Sequence, residues 1–101
     1  MPPFAALALI RADARTNASA AGFLKAAAVL AREHPGVTVY EPVPPFVAKV
    51  ADVERMQMLL ESPSRVTLQR MLSEWLPALQ GLRAQHKGLL RWAVDVDPLW
   101  I

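Results

Sequence analysis

Apolar residues recur along this chain with two periods, and the switches between them mark out the elements. Phe4 to Ile10 reads Phe-Ala-Ala-Leu-Ala-Leu-Ile. Apolar on both alternating faces, it fits a strand in the middle of a sheet, although taken alone it fits a helical segment equally well. Arg11 to Arg15 reads as a charged exit. Thr16 and Asn17 both favour an N-cap. Ala20, Phe23, Leu24, Ala27, Leu30 and Ala31 then follow at three-and-four spacing, which predicts a helix to about Arg32. His34-Pro35-Gly36 ends it, because Pro35 drives His34 out of the helical region.

Val37 to Tyr40 is β-branched and aromatic, which predicts a short strand. Glu41-Pro42-Val43-Pro44-Pro45 cannot donate a regular ladder and reads as an edge or a connecting arm. The path of residues 42–53 is left open by the pattern. Met56, Met58 and Leu60 then alternate with Arg55, Gln57 and Leu59, a half-buried strand over Glu54 to Glu61. A second helix starts at Ser62 or Ser64. With Ser62 as the cap, Pro63 takes the favoured first position. Leu68, Leu72, Trp75, Leu76 and Leu79 form its inward stripe, and Pro77 is expected to kink it or to start a second piece. Gly81 to Gly88 reads as a basic loop. Leu90, Trp92, Val94 and Val96 alternate with Arg91, Ala93, Asp95 and Asp97 in the clearest strand of the chain.

The order β-α-β-β-α-β predicts an α+β fold of the ferredoxin-like kind: a four-stranded antiparallel sheet with two helices on one face. The 101 residues suffice for one domain, and no repeat or linker divides them. Apolar residues make up 53% of the chain, so some apolar surface is expected to meet another domain or a second copy. With 11 basic and 9 acidic side chains the net charge is +2, too balanced for nucleic-acid binding by bulk charge, and any such contact needs a local patch. The chain has no cysteine, which excludes disulfides, zinc ribbons, iron–sulfur clusters and thiol catalysis within it. No apolar run approaches about 20 residues, so no membrane-spanning helix is expected. Met1-Pro2-Pro3-Phe4 lacks the basic head and cleavage site of a signal peptide. A cytoplasmic location is expected.

Three groups of residues carry candidate chemistry. Arg65 and Gln69 stand one turn apart on the same face at the start of the second helix. There the backbone N–H groups and the positive end of the helix dipole favour an anion; a solvated first turn is the plainer alternative. Arg83, His86, Lys87 and Arg91 cluster around the last loop and suit phosphate contact, with Trp92 either a stacking group or part of the core. Asp95 and Asp97 share a strand face, and Asp13 can approach them from a neighbouring strand, a weak metal-nuclease pattern beside the simpler reading of a polar sheet face. His34 and His86 lack spacing partners. No serine sits in a Gly-x-Ser-x-Gly elbow.

The Pro-rich segment Tyr40 to Phe46, the strand Met56-Gln57-Met58-Leu59-Leu60, the helix opening Ser62-Pro63-Ser64-Arg65 with Leu68-Gln69, and the close Asp95-Val96-Asp97-Pro98-Leu99 occur in this order. Together they resemble the C-terminal domain of the primosomal replication-restart helicases, over about residues 40 to 101. The resemblance implies that residues 1–101 are a noncatalytic accessory domain of a larger ATP-dependent 3′→5′ DNA helicase. It implies weak binding of branched or single-stranded DNA, with Arg83, Lys87 and Arg91 as candidate contacts. It further implies docking of the acidic C-terminal tail of single-stranded-DNA-binding protein through Arg65 and Gln69. ATP, magnesium and zinc are expected in other domains of such a parent and not here, since this chain has neither a Gly-x-x-x-x-Gly-Lys-Ser/Thr loop nor a cysteine. Val47 to Arg55 departs from the family pattern, with two cations and two acids where several arginines and aromatics are expected. The alternative function is a stand-alone ferredoxin-like module that dimerises through its sheet or binds a small metabolite.

Overall fold

Small side chains let helix and sheet approach closely in this protein. A computed structural model describes residues 6–44, 49–50 and 53–96. The elements run β1 (Ala6–Ala14), α1 (Asn17–Ala31), β2 (Thr38–Val39), β3 (Lys49–Val50), β4 (Val53–Ser62), α2 (Arg65–Gln85) and β5 (Leu89–Val96). The antiparallel sheet has the order β2-β4-β1-β5, with β3 also paired to β4. Both helices pack on one face, which is the ferredoxin-like arrangement expected from the element order.

Strand alternation divides β1 between two environments. Ala6, Ala8, Ile10, Ala12 and Ala14 join the core beneath the helices. Opposite them lie Met56, Met58 and Leu60 of β4, and Trp92 and Val94 of β5 pack at the border. From α1 come Ala20, Phe23, Leu24, Ala27, Ala28 and Ala31, and from α2 come Leu68, Met71, Leu72, Trp75 and Leu79. The alanines of α1 and β1 leave room for Trp75, which is 1% exposed and donates its indole N–H to the Ala27 carbonyl at 3.0 Å. That bond fixes the depth at which α2 sits against α1.

The caps follow local chemistry. Thr16 accepts the Ser19 amide at the start of α1. Gly36 takes φ +87 in the turn that leaves α1, a conformation that side chains rarely adopt, and an added Cβ would lie 3.0 Å from Thr67 Cγ2. Beyond it, Val43 bridges to Gln57, so this residue of the Pro-rich arm pairs with β4 on the side away from β1, between the positions paired by β2 and β3. Phe46 to Ala48 and Ala51-Asp52 lie outside the described residues.

Four readings of the sequence need correction, and the choice between Ser62 and Ser64 as the start of α2 is decided for Ser64. Arg11 to Ala14 is not an exit: β1 continues through it, because Ala12 and Ala14 keep filling the core while Arg11 and Asp13 take the opposite face. The weakly patterned stretch before β4 contributes the short strand β3, which turns back onto β4. Ser62 is not the helix cap. It is the last residue of β4, fully buried, and its hydroxyl accepts the Ser64 amide at 3.2 Å, while Ser64 caps α2 by accepting from Thr67. Pro77 does not divide α2, which runs unbroken to Gln85 and so absorbs most of the expected basic loop. Pro77 is exposed, and the carbonyl it leaves unpaired belongs to the exposed Ser73, within reach of water. Lastly, a bulge between Asp13 and Ala14 pairs Ala14 with Leu89, so Leu89 enters the core and Leu90 stands 38% exposed.

Replacing Trp75 with Phe removes the Ala27 contact and part of the ring. The expected loss is about 1–3 kcal/mol in urea unfolding with an unchanged m-value. A loss below about 0.5 kcal/mol would show that the indole does not anchor the helix pair.

Candidate functional site

The sheet face opposite the helices carries Leu7, Leu9, Arg11 and Asp13 on β1. Their partners on β4 are Glu61, Leu59, Gln57 and Arg55, and those on β5 are Asp95, Ala93 and Arg91. Two of these residues are buried although no helix covers them: Leu9 is 2% and Asp13 is 4% exposed.

Asp13 lies between the two neighbouring strands and is held from both. Arg55 grips it with a two-pronged fork, Nε to Oδ1 at 2.8 Å and Nη2 to Oδ2 at 3.1 Å. From the other side, Arg91 Nε donates to Oδ2 at 2.7 Å. Beside them Arg11 pairs with Asp95 at 2.7 Å. Arg11, Asp13, Arg55 and Arg91, with Trp92 and Ala93, surround an open cavity of about 300 Å³. The hydrogen bonds from Arg55 are the largest influence on Asp13 and hold its carboxyl below the usual carboxylate range; burial opposes them, and Arg91 adds to the lowering. Along the β4 edge the Tyr40 hydroxyl donates to Glu61, which pushes the phenol up.

Arg65 and Gln69 are both exposed, one turn apart at the start of α2, and no acidic side chain occupies that first turn. Val66, 66% exposed, lies on the same flank. A separate cavity of about 150 Å³ involves His34, Pro35, Thr67, Arg70, Met71 and Glu74 on another flank of α2, and neither Arg65 nor Gln69 lines it.

The basic residues around the last turn do not form one group. Arg83 stands in the last turn of α2 and donates to the Leu90 carbonyl at 2.8 Å. Lys87 is exposed in the turn before β5. His86 meets the edge of Phe23 with ring centroids 5.8 Å apart. Arg91 instead reaches Asp13 on the open sheet face. Trp92 packs against Phe23 at the border of the core. Asp95 is engaged by Arg11, and Asp97 lies outside the described residues. Among the described residues no group of three or more His, Cys, Asp or Glu side chains is placed to hold a metal ion. No helix among them is long and apolar enough to cross a membrane.

The Asp13–Arg55–Arg91 cluster was not anticipated from the sequence. Its signal was there: Arg11-Ala12-Asp13-Ala14 alternates with period two, and the antiparallel register then sets Arg55 and Arg91 opposite Asp13.

Residues 1–99 match the family model described as the primosomal protein N C-terminal domain. The chain is 35% identical over 100 residues to replication restart protein PriA of Haemophilus influenzae, covering 97% of this chain and 13% of that protein. The fold is similar to a putative antibiotic biosynthesis monooxygenase from Nitrosomonas europaea, with a TM-score of 0.61, 10% identity, and coverage of 99% of this chain and 95% of that one. It is also similar to a dimeric ferredoxin-like protein from an uncultured marine organism, with a TM-score of 0.58, 14% identity, and coverage of 93% and 86%. At those identities the likeness is one of fold.

The lowered pKa of Asp13 has a defined consequence for stability. A carboxyl that is more acidic folded than unfolded stabilises the protein fully above the ordinary carboxylate range. That contribution is lost as pH falls through the folded value. Unfolding free energy is therefore expected to drop below about pH 4, and Asp13→Asn to flatten this acid limb. An acid limb of the same slope in Asp13→Asn would show that Asp13 is not its source.

Proposed function

Because the chain belongs to the family of primosomal protein N C-terminal domains, we propose that it is the noncatalytic accessory domain of a bacterial replication-restart helicase. In such a parent, ATP-driven 3′→5′ unwinding, magnesium and zinc belong to other segments. This chain spans 13% of the length of the curated relative it matches and has neither a phosphate loop nor a cysteine. The cytoplasm is the compartment of such a protein. Its tasks here are to dock the acidic C-terminal tail of single-stranded-DNA-binding protein and to help hold branched or single-stranded DNA.

The observation that carries tail docking is the first turn of α2. Arg65 and Gln69 are exposed on one flank, and Val66 offers an apolar surface beside them. A guanidinium fork matches a carboxylate, a carboxamide can satisfy a peptide group of the tail, and the helix dipole favours the negative charge of the carboxylate. An apolar residue ending the tail fits against Val66. Weak DNA contact is supported by Lys87 and Arg83 at one end of the domain and Arg91 on the sheet face, contacts that depend on salt.

A labelled acidic peptide ending in Asp-Phe, titrated by fluorescence anisotropy, tests the docking reading. Arg65→Ala is expected to weaken binding about tenfold or more, equivalent to about 1.4 kcal/mol, and Gln69→Ala to weaken it by a smaller factor. Equal affinity in wild type and Arg65→Ala would remove this turn from the site.

A further inference from the structure

The cavity on the open sheet face is lined by more positive charge than the carboxylates beside it balance. Arg11 and Asp95 neutralise each other. Arg55 and Arg91 share the single carboxylate of Asp13, which leaves the group with one net positive charge. The fork from Arg55 engages both oxygens of Asp13, and the bond from Arg91 brings a second cation to the same acid. Each guanidinium has five N–H donors. Arg55 uses two nitrogens on Asp13 and Arg91 uses one, and the Arg91 side chain is 73% exposed. Two like charges are thus brought together around one counter-ion, with donors remaining beside a cavity of about 300 Å³.

We infer that this cavity is an oxyanion site in which Arg55 and Arg91 bind a phosphate group of a nucleic-acid backbone, with Asp13 as the positioning residue that sets their planes. An incoming phosphate supplies the missing negative charge and accepts from the outward N–H groups of both guanidinium ions. Asp13 lines the cavity with both oxygens held by the arginines, and it acts by restricting two flexible side chains, which lowers the ordering cost of binding. The charged character of this face also sets it apart from an apolar sheet-to-sheet dimer surface. That the phosphate comes from nucleic acid rests on the family reading above; that the site takes an oxyanion rests on the side chains alone.

Two measurements on the domain separate these points. In the first, inorganic phosphate is titrated into the wild-type protein while the side-chain Nε–H resonances of Arg11, Arg55, Arg83 and Arg91 are followed by NMR. Saturable shifts of Arg55 and Arg91 are expected; shifts confined to Arg83, or none, overturn the site. In the second, a short single-stranded oligonucleotide is titrated by anisotropy into wild type and Arg91→Gln at several salt concentrations. Arg91→Gln leaves the Arg55–Asp13 fork in place and is expected to melt within a few degrees of wild type. It is expected to weaken binding about fivefold or more and to lower the salt slope by about 1. Equal DNA binding by the two proteins shows that nucleic acid contacts another surface and overturns the assignment while leaving the accessory-domain reading intact. Arginine shifts with phosphate but no DNA binding by wild type keep the oxyanion site and remove nucleic acid as its source.

Discussion

One buried carboxylate constrains the middle of this sheet. Asp13 sits on the central strand with no helix above it, and an ionised acid at 4% exposure is costly unless it is paired and hydrogen-bonded. Arg55 from β4 and Arg91 from β5 meet that need from opposite sides, so the three long strands are joined through side chains as well as through their ladders. The same contacts determine where the arginines point. A sheet face that would otherwise be a solvated surface thereby gains two guanidinium groups in defined planes.

The two faces of β1 divide the work between stability and recognition. Beneath the helices, alanines of β1 and α1 keep the layers close, and Trp75 and Phe23 fill the space that remains. This packing holds the first turn of α2, where Ser64 caps the helix and Arg65 and Gln69 stand outward. The helix start and the charged sheet face therefore belong to different surfaces of the domain. Under the proposed function, the peptide and the nucleic acid would be met by these two separate surfaces.

Much of this arrangement was legible in the sequence, and the misses share physical causes. The α1 stripe and the Met56-Met58-Leu60 alternation each obey one period over many residues, so both elements were found with nearly correct bounds. Arg11 and Asp13 misled because charges in a strand are commonly a sign of its end; here they occupy the uncovered face and pair across strands, Arg11 with Asp95 and Asp13 with Arg55 and Arg91. The bulge that brings Leu89 rather than Leu90 into the core depends on pairing with Ala14, a long-range contact that local pattern does not encode. Pro77 inside α2 shows packing overriding propensity, since Leu79 and Leu82 beyond it still meet the core. Arg65 and Gln69 came from a resemblance and from helix geometry. The Asp13 cluster needed the strand register, which no single segment reveals.

The most direct test of the Asp13 constraint is a double-mutant cycle between Asp13→Asn and Arg55→Gln, read by urea unfolding at neutral pH. If the carboxylate and the fork form one unit, the two losses do not add, and a coupling of about 1 kcal/mol or more is expected. Losses that add within about 0.3 kcal/mol would mean that the two residues act independently and that the sheet face is not organised around Asp13.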